Sequence, residues 1–266
     1  MRRILVIVTA LVATMAAATA YAASTSAINT YTAALKFSPN PAGTASKPAP
    51  LGFAQIFGAA GTNGNRTAVL SDIRTTIYGL KVDSKDFPTC SESKIASAQT
   101  DAVCPKQAQL ASGSITAVLG PVSNFSSSAT QYPCNPDLHA WNSGPGKITF
   151  FFVDQGSNQC LSGAIKTGQV GPYSATYKNV GKNFVLDVPI PSTVDYPLGP
   201  TSLAGSLTSE TLNWLKVTAK VHGKTVAAIS SVGCLHGKRP YTNTFTATLP
   251  GTGTQTVTVP GSAACK

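Results

Sequence analysis

The strongest constraint on this chain is a two-residue rhythm. Between Tyr241 and Leu249, the apolar Tyr241, Phe245, Ala247 and Leu249 alternate with Thr242, Thr244, Thr246 and Thr248. Period two sends successive side chains to opposite faces, so the pattern predicts a half-buried strand. Threonine suits the wet face because its branched side chain packs well on a pleated surface. The same rhythm runs through Phe184–Ile190, and again where Leu215, Val217, Ala219 and Val221 alternate with Lys216, Thr218, Lys220 and His222. Ile148–Val153 is apolar on nearly both faces, as in a central strand covered on each side. Thr30–Phe37, Ile73–Val82, Ser114–Leu119 and Thr254–Val259 are weaker strand candidates. Helical signals are scarce. Ser91–Gln99, free of Gly and Pro and with Ser91 as N-cap, predicts one short connecting helix.

Short strands separated by turn residues define the fold class. With 23 glycines and 18 prolines, the chain reads as all-β: an antiparallel β-sandwich, immunoglobulin-like or jelly-roll-like, stapled by disulfides. Asn40–Pro50 reads as an extended, turn-rich crossing and Gly61–Asn65 as a surface loop or hairpin tip. The β-sandwich region is expected to cover 23–266. Should it divide into two lobes, the division falls near 192–205, where Tyr196-Pro197-Leu198-Gly199-Pro200 would serve as linker.

The segment 1–22 has the form of a signal peptide. Met1, Arg2 and Arg3 give a basic start, Ile4–Ala18 an apolar stretch, and Ala20-Tyr21-Ala22 a cleavage site. The apolar stretch is shorter than the roughly 20 residues that span a bilayer, so no transmembrane segment is expected in the mature chain. Export makes sense of six cysteines: Cys90, Cys104, Cys134, Cys160, Cys234 and Cys265. An even count in an exported chain predicts three disulfides, for which spacing alone leaves fifteen connectivities. Sequential pairing is the preferred one. Metal ligation is the rival use, but neither Cys-x-x-Cys nor His-x-x-x-His spacing occurs.

The formal net charge of +10 includes the two leader arginines. A basic exported protein favours anionic wall polymers, glycans or envelope proteins as partners. The lysines are scattered without interleaved aromatics, so no nucleic-acid partner is expected.

Gly79-Leu80-Lys81-Val82-Asp83, Phe87-Pro88-Thr89-Cys90, Cys104-Pro105-Lys106 and Ser112-Gly113-Ser114 form a recurring arrangement. It resembles that of uncharacterised secreted proteins of actinobacteria, in which G-L-K, F-P-x-C and C-P blocks follow a signal peptide. The resemblance covers roughly Tyr31 to Val153. The chain departs from it at Asp83, where asparagine is usual, and at Leu110-Ala111-Ser112-Gly113, where an Ile-Gly pair is expected. It implies a β-rich extracellular domain and the Cys90–Cys104 pair, and brings no activity with it.

Catalytic motifs are absent. The sequence contains no Gly-x-Ser-x-Gly elbow, His-Glu-x-x-His or P-loop. Of His139, His222 and His236, only His139 has a cysteine and an acid close by in sequence, Cys134 and Asp137, and a disulfide would consume that thiolate. Glu92, Glu210 and eight aspartates fit no glycosidase motif. Trp141, read as loop-borne, and Trp214, on the polar side of its strand, are the candidate ligand contacts. No catalytic residue, cofactor or metal is assigned. The expected function is therefore non-catalytic binding or structural association, extracellular or at the cell envelope. The alternatives are a secreted carbohydrate-acting enzyme and a small-ligand carrier, the latter requiring a deep apolar cavity.

Overall fold

The computed structural model describes residues 28–154, 159–160, 165–166, 170–249, 251 and 253–266. The signal-peptide segment lies outside the described residues. The chain is all-β and antiparallel, as its sequence predicts. In order, the strands are β1 (Asn29–Phe37), β2 (Ala49–Pro50), β3 (Phe53–Gly61), β4 (Val69–Tyr78), β5 (Leu80–Val82), β6 (Gln109–Pro121), β7 (Tyr132–Cys134), β8 (Asp137–Asn142) and β9 (Lys147–Val153). They continue as β10 (Tyr173–Val180), β11 (Asn183–Pro189), β12 (Leu203–Trp214), β13 (Thr218–Val221), β14 (Lys224–Ala227), β15 (Ile229–Ser231), β16 (Lys238–Leu249) and β17 (Gly253–Ala264).

Twelve of these strands join one sheet in the order β1-β3-β12-β6-β8-β9-β10-β11-β4-β16-β17, with β7 paired to β6. The sheet curls until its two edges meet, giving a nearly closed, barrel-like wall. At the seam, the Gln255 side chain on β17 accepts from the backbone N–H groups of Ile28 and Asn29, at 2.9 and 2.8 Å. Inside the seam, Tyr31 stacks on Phe245 with ring centroids 4.4 Å apart. Closure of this kind hides the edge strands that would otherwise invite pairing with other chains. Strands from both sides of 192–205 interleave in this one sheet, so that segment connects strands of a common wall.

The sequence rhythm maps onto the wall. In β16, Tyr241, Asn243, Phe245 and Ala247 are buried. On the outside, Thr244, Thr246 and Thr248 meet Thr258, Thr256 and Thr254 of β17 through hydroxyl contacts of 3.0 to 3.4 Å. β9 is buried on both faces, as its composition requires. Ile148, Phe150 and Phe152 join the main core, while Phe151 points outward into a second cluster with Cys90, Ile95, Ala108 and Trp141. That cluster is roofed by the helix α1 (Glu92–Ala98), whose N-cap Ser91 accepts from the Lys94 N–H.

Two sequence expectations shift. The strand expected across Leu215–Val221 begins only at Thr218, because the chain leaves the sheet after Trp214 and Leu215 N–H bonds to Leu110 O. His222 does not sit on a polar strand face. It forms, with Gly223, the two-residue turn between β13 and β14, both at positive φ, as tight hairpins require. The Ile73–Val82 strand is likewise broken at Gly79, at φ +66°, where a Cβ would lie 1.9 Å from Gly233 O.

Three disulfides staple this framework: Cys90–Cys104, Cys134–Cys160 and Cys234–Cys265, the sequential pairing. Near the last of them lies Arg239, fully buried. Its guanidinium donates to Asn40 Oδ1, Tyr78 O, Pro41 O and Ser231 Oγ and touches Cys265 Sγ. One cation thus ties the 40–41 crossing, the end of β4, β15 and the C-terminal bridge into a single knot. No carboxylate is among these partners, and burial pushes the Arg239 pKa down to about 10.

Candidate functional site

The residues singled out in the sequence are buried. Trp141 lies in β8, not in a loop, and is 5% exposed. Its Nε1 donates to Asp101 Oδ2 at 3.1 Å, and the same oxygen lies 2.6 Å from His139 Nδ1. His139 therefore finds its acid 38 residues upstream, not at the nearby Asp137. Trp214 is 4% exposed, stacks on Phe53 and donates from Nε1 to Gln55 Oε1 at 3.0 Å. Both indoles serve the packing of the wall. All six cysteines are consumed in bridges.

The structure instead directs attention inward. Within the curled sheet lies a partly open cavity of about 120 Å³, walled by the inner faces of β3, β4, β6 and β8–β12. Most of its lining is aliphatic or aromatic: Phe57, Ile115, Leu138, Phe150, Leu186 and Leu212 are representative. The Cys134–Cys160 disulfide also borders it and, together with Leu119, anchors Ile165 at the rim. At the same end, the helical turn Ser192–Asp195 brings Val194 and Asp195 onto the cavity.

Against this lining stand a few polar groups, of which Glu210 is the most consequential. It lies on β12, lines the cavity and is 7% exposed. Among the described residues, no hydrogen bond or ion pair reaches its carboxyl group. Burial pushes its pKa up to about 7. Asp195 is also raised to about 7, again by burial. The Tyr173 hydroxyl is shifted upward by burial and further by the charges of Glu210 and Asp195, which places it within electrostatic reach of each acid. Tyr173 stacks on Phe150 at 5.5 Å and tilts against Phe152 at 5.7 Å, forming an aromatic wall of the cavity. Gln55, its oxygen held by Trp214, is the remaining amide on the lining.

A β-bulge explains why Glu210 points inward. The pairing of β12 with β6 slips between Leu207 and Ser209, so Leu207 faces Ala117 while Glu210 faces Ile115. The extra residue, Thr208, resets the alternation, and both Leu207 and Glu210 reach the cavity. A strict period of two cannot be followed across such a slip, and Gly205–Trp214 reads as polar. The local signal was Glu210 in step with Leu212 and Trp214, against the outward Thr211 and Asn213.

The polar groups narrow the chemistry. Two acids face one cavity, the arrangement that glycoside hydrolysis needs. Here, however, the lining is mostly apolar, whereas a sugar brings a hydroxyl on nearly every carbon that requires a partner. The lining is apolar over most of its extent, with its acids on β12 and on the Ser192–Asp195 turn. Comparison with protein-family models, curated proteins and solved structures finds no match to this chain.

Proposed function

We propose that this chain is an exported, non-catalytic binding protein that carries a small ligand inside its curled sheet. The observation that supports this most is the cavity of about 120 Å³ with a buried Glu210 on its wall that no hydrogen bond or ion pair among the described residues reaches. Buried polar groups in native proteins nearly always have partners, and an exception facing a cavity calls for a ligand or water. The volume approaches that of an engineered apolar cavity of about 150 Å³ that accepts benzene, so the ligand is small. Export is supported by three disulfides, which persist in oxidising compartments, and by the resemblance to secreted actinobacterial proteins. Among the described residues, no helix is long and apolar enough to cross a membrane.

Titration calorimetry of the oxidised chain with pentan-1-ol tests the reading. Wild type is expected to bind, and Val188→Phe, which places a ring in the cavity, is expected to lose binding. Equal binding by both would move the ligand site elsewhere. The net charge, +10 for the whole chain and +8 once the two leader arginines are removed, favours a second, compatible reading, residence at an anionic envelope. Co-sedimentation with isolated envelopes that weakens as salt rises is its expected signature; no co-sedimentation even at low salt would remove it.

A further inference from the structure

Building on the carrier reading, we propose that the cavity selects small amines, the ammonium head meeting Glu210 and Asp195 and the hydrocarbon body packing among the apolar walls. The argument is one of complementarity. Glu210 on β12 and Asp195 on the helical turn both face the cavity, and Tyr173 on β10 and Gln55 on β3 complete its principal polar groups. Among the described residues, no lysine, arginine or histidine lines it, so they give the cavity acids and no counter-charge. An anionic ligand would bring a third acid to two existing ones. A neutral ligand could satisfy a hydrogen bond but would leave either carboxylate, once ionised, without a counterion in an apolar site. An ammonium supplies both charge and donors.

A second observation points the same way. Tyr173, within electrostatic reach of both acids, is stacked on Phe150 and tilted against Phe152, and all three rings line the same cavity. Aromatic faces attract cations, and carboxylates backed by aromatic rings form a recurring setting for ammonium groups. Recognition should also depend on pH. With the two carboxyls titrating at about 7, they are mostly charged at pH 8 and mostly neutral at pH 5.5. An alkylamine, with a pKa near the lysine value of about 10.4, stays protonated at both.

The test uses the full oxidised chain and three probes sharing one five-carbon body: pentylamine, pentan-1-ol and pentanoate. At pH 8, pentylamine is expected to bind at least about tenfold more tightly than pentan-1-ol, a preference of about 1.4 kcal/mol. The preference is expected to collapse at pH 5.5, and to fall at pH 8 in Glu210→Gln and in Asp195→Asn. A cooperative melting transition and a wild-type near-ultraviolet circular dichroism spectrum show that each variant keeps its fold. Pentan-1-ol or pentanoate binding as tightly as pentylamine at pH 8 would overturn amine selection and leave the carrier reading standing. Binding of none of the three would overturn both.

Discussion

Replacing Glu210 by glutamine should make the protein more stable in mild base. The Glu210 carboxyl holds its proton to a pKa of about 7 in the folded chain, against an ordinary value of 4.5. The native state therefore binds more protons than the unfolded state between these values, and stability falls as pH rises through that window. At 1.36 kcal/mol per pH unit, the loss approaches about 3 kcal/mol above pH 7. Glutamine keeps the shape and cannot ionise. Urea unfolding at pH 4.5 and pH 8.5, with disulfides intact, should show the variant within about 1 kcal/mol of wild type in acid. In base it should exceed wild type by about 3 kcal/mol. A variant equally destabilised at both pH values would refute the reasoning, because the carboxylate would then be held by partners and not merely buried.

Three other perturbations probe the framework. Changing Cys234 and Cys265 together to serine opens a loop with a sequence separation of 31, and should cost roughly 3.5 to 4 kcal/mol in the chain-entropy model, read from urea midpoints with and without reductant. Arg239→Ala leaves the carbonyls of Tyr78 and Pro41 without their donor, and is expected to lower stability by more than about 3 kcal/mol; a loss under about 1 kcal/mol would show that water replaces the guanidinium and that Arg239 does not hold these segments together. Asp101→Ala strips the shared acceptor from His139 and Trp141, and should cost about 1 to 3 kcal/mol with a change in tryptophan fluorescence; an unchanged spectrum and melting curve would remove that role.

The alternation in β16 and the two-sided apolar run of β9 were legible because each strand keeps one phase along its length. Serine before an apolar, Gly-free stretch likewise marked α1, since capping is a local property. The cavity was not legible. It depends on the slip at Leu207–Ser209, which turns Glu210 inward, and on Asp195 arriving from a turn separated from β12 by the 196–202 connection. Neither depends on composition. Trp141 resists the sequence for a related reason: the Gly-Pro turn that follows it suggests a loop, whereas pairing with Gln109 and Thr149 on its neighbours keeps it in β8. The partnership of His139 with Asp101 is equally nonlocal, since the Asp101–Val103 turn is drawn back to the sheet by the Cys90–Cys104 bridge.

The central claim is that a small molecule enters the space inside the sheet. Methyl-resolved NMR during titration with pentan-1-ol tests it most directly, because isoleucines report from inside and outside the cavity. Shifts in Ile73, Ile115 and Ile165, which line it, with Ile77, Ile95 and Ile148 little changed, are the predicted result. Saturating shifts confined to the second set, or no shifts in either, would contradict the claim.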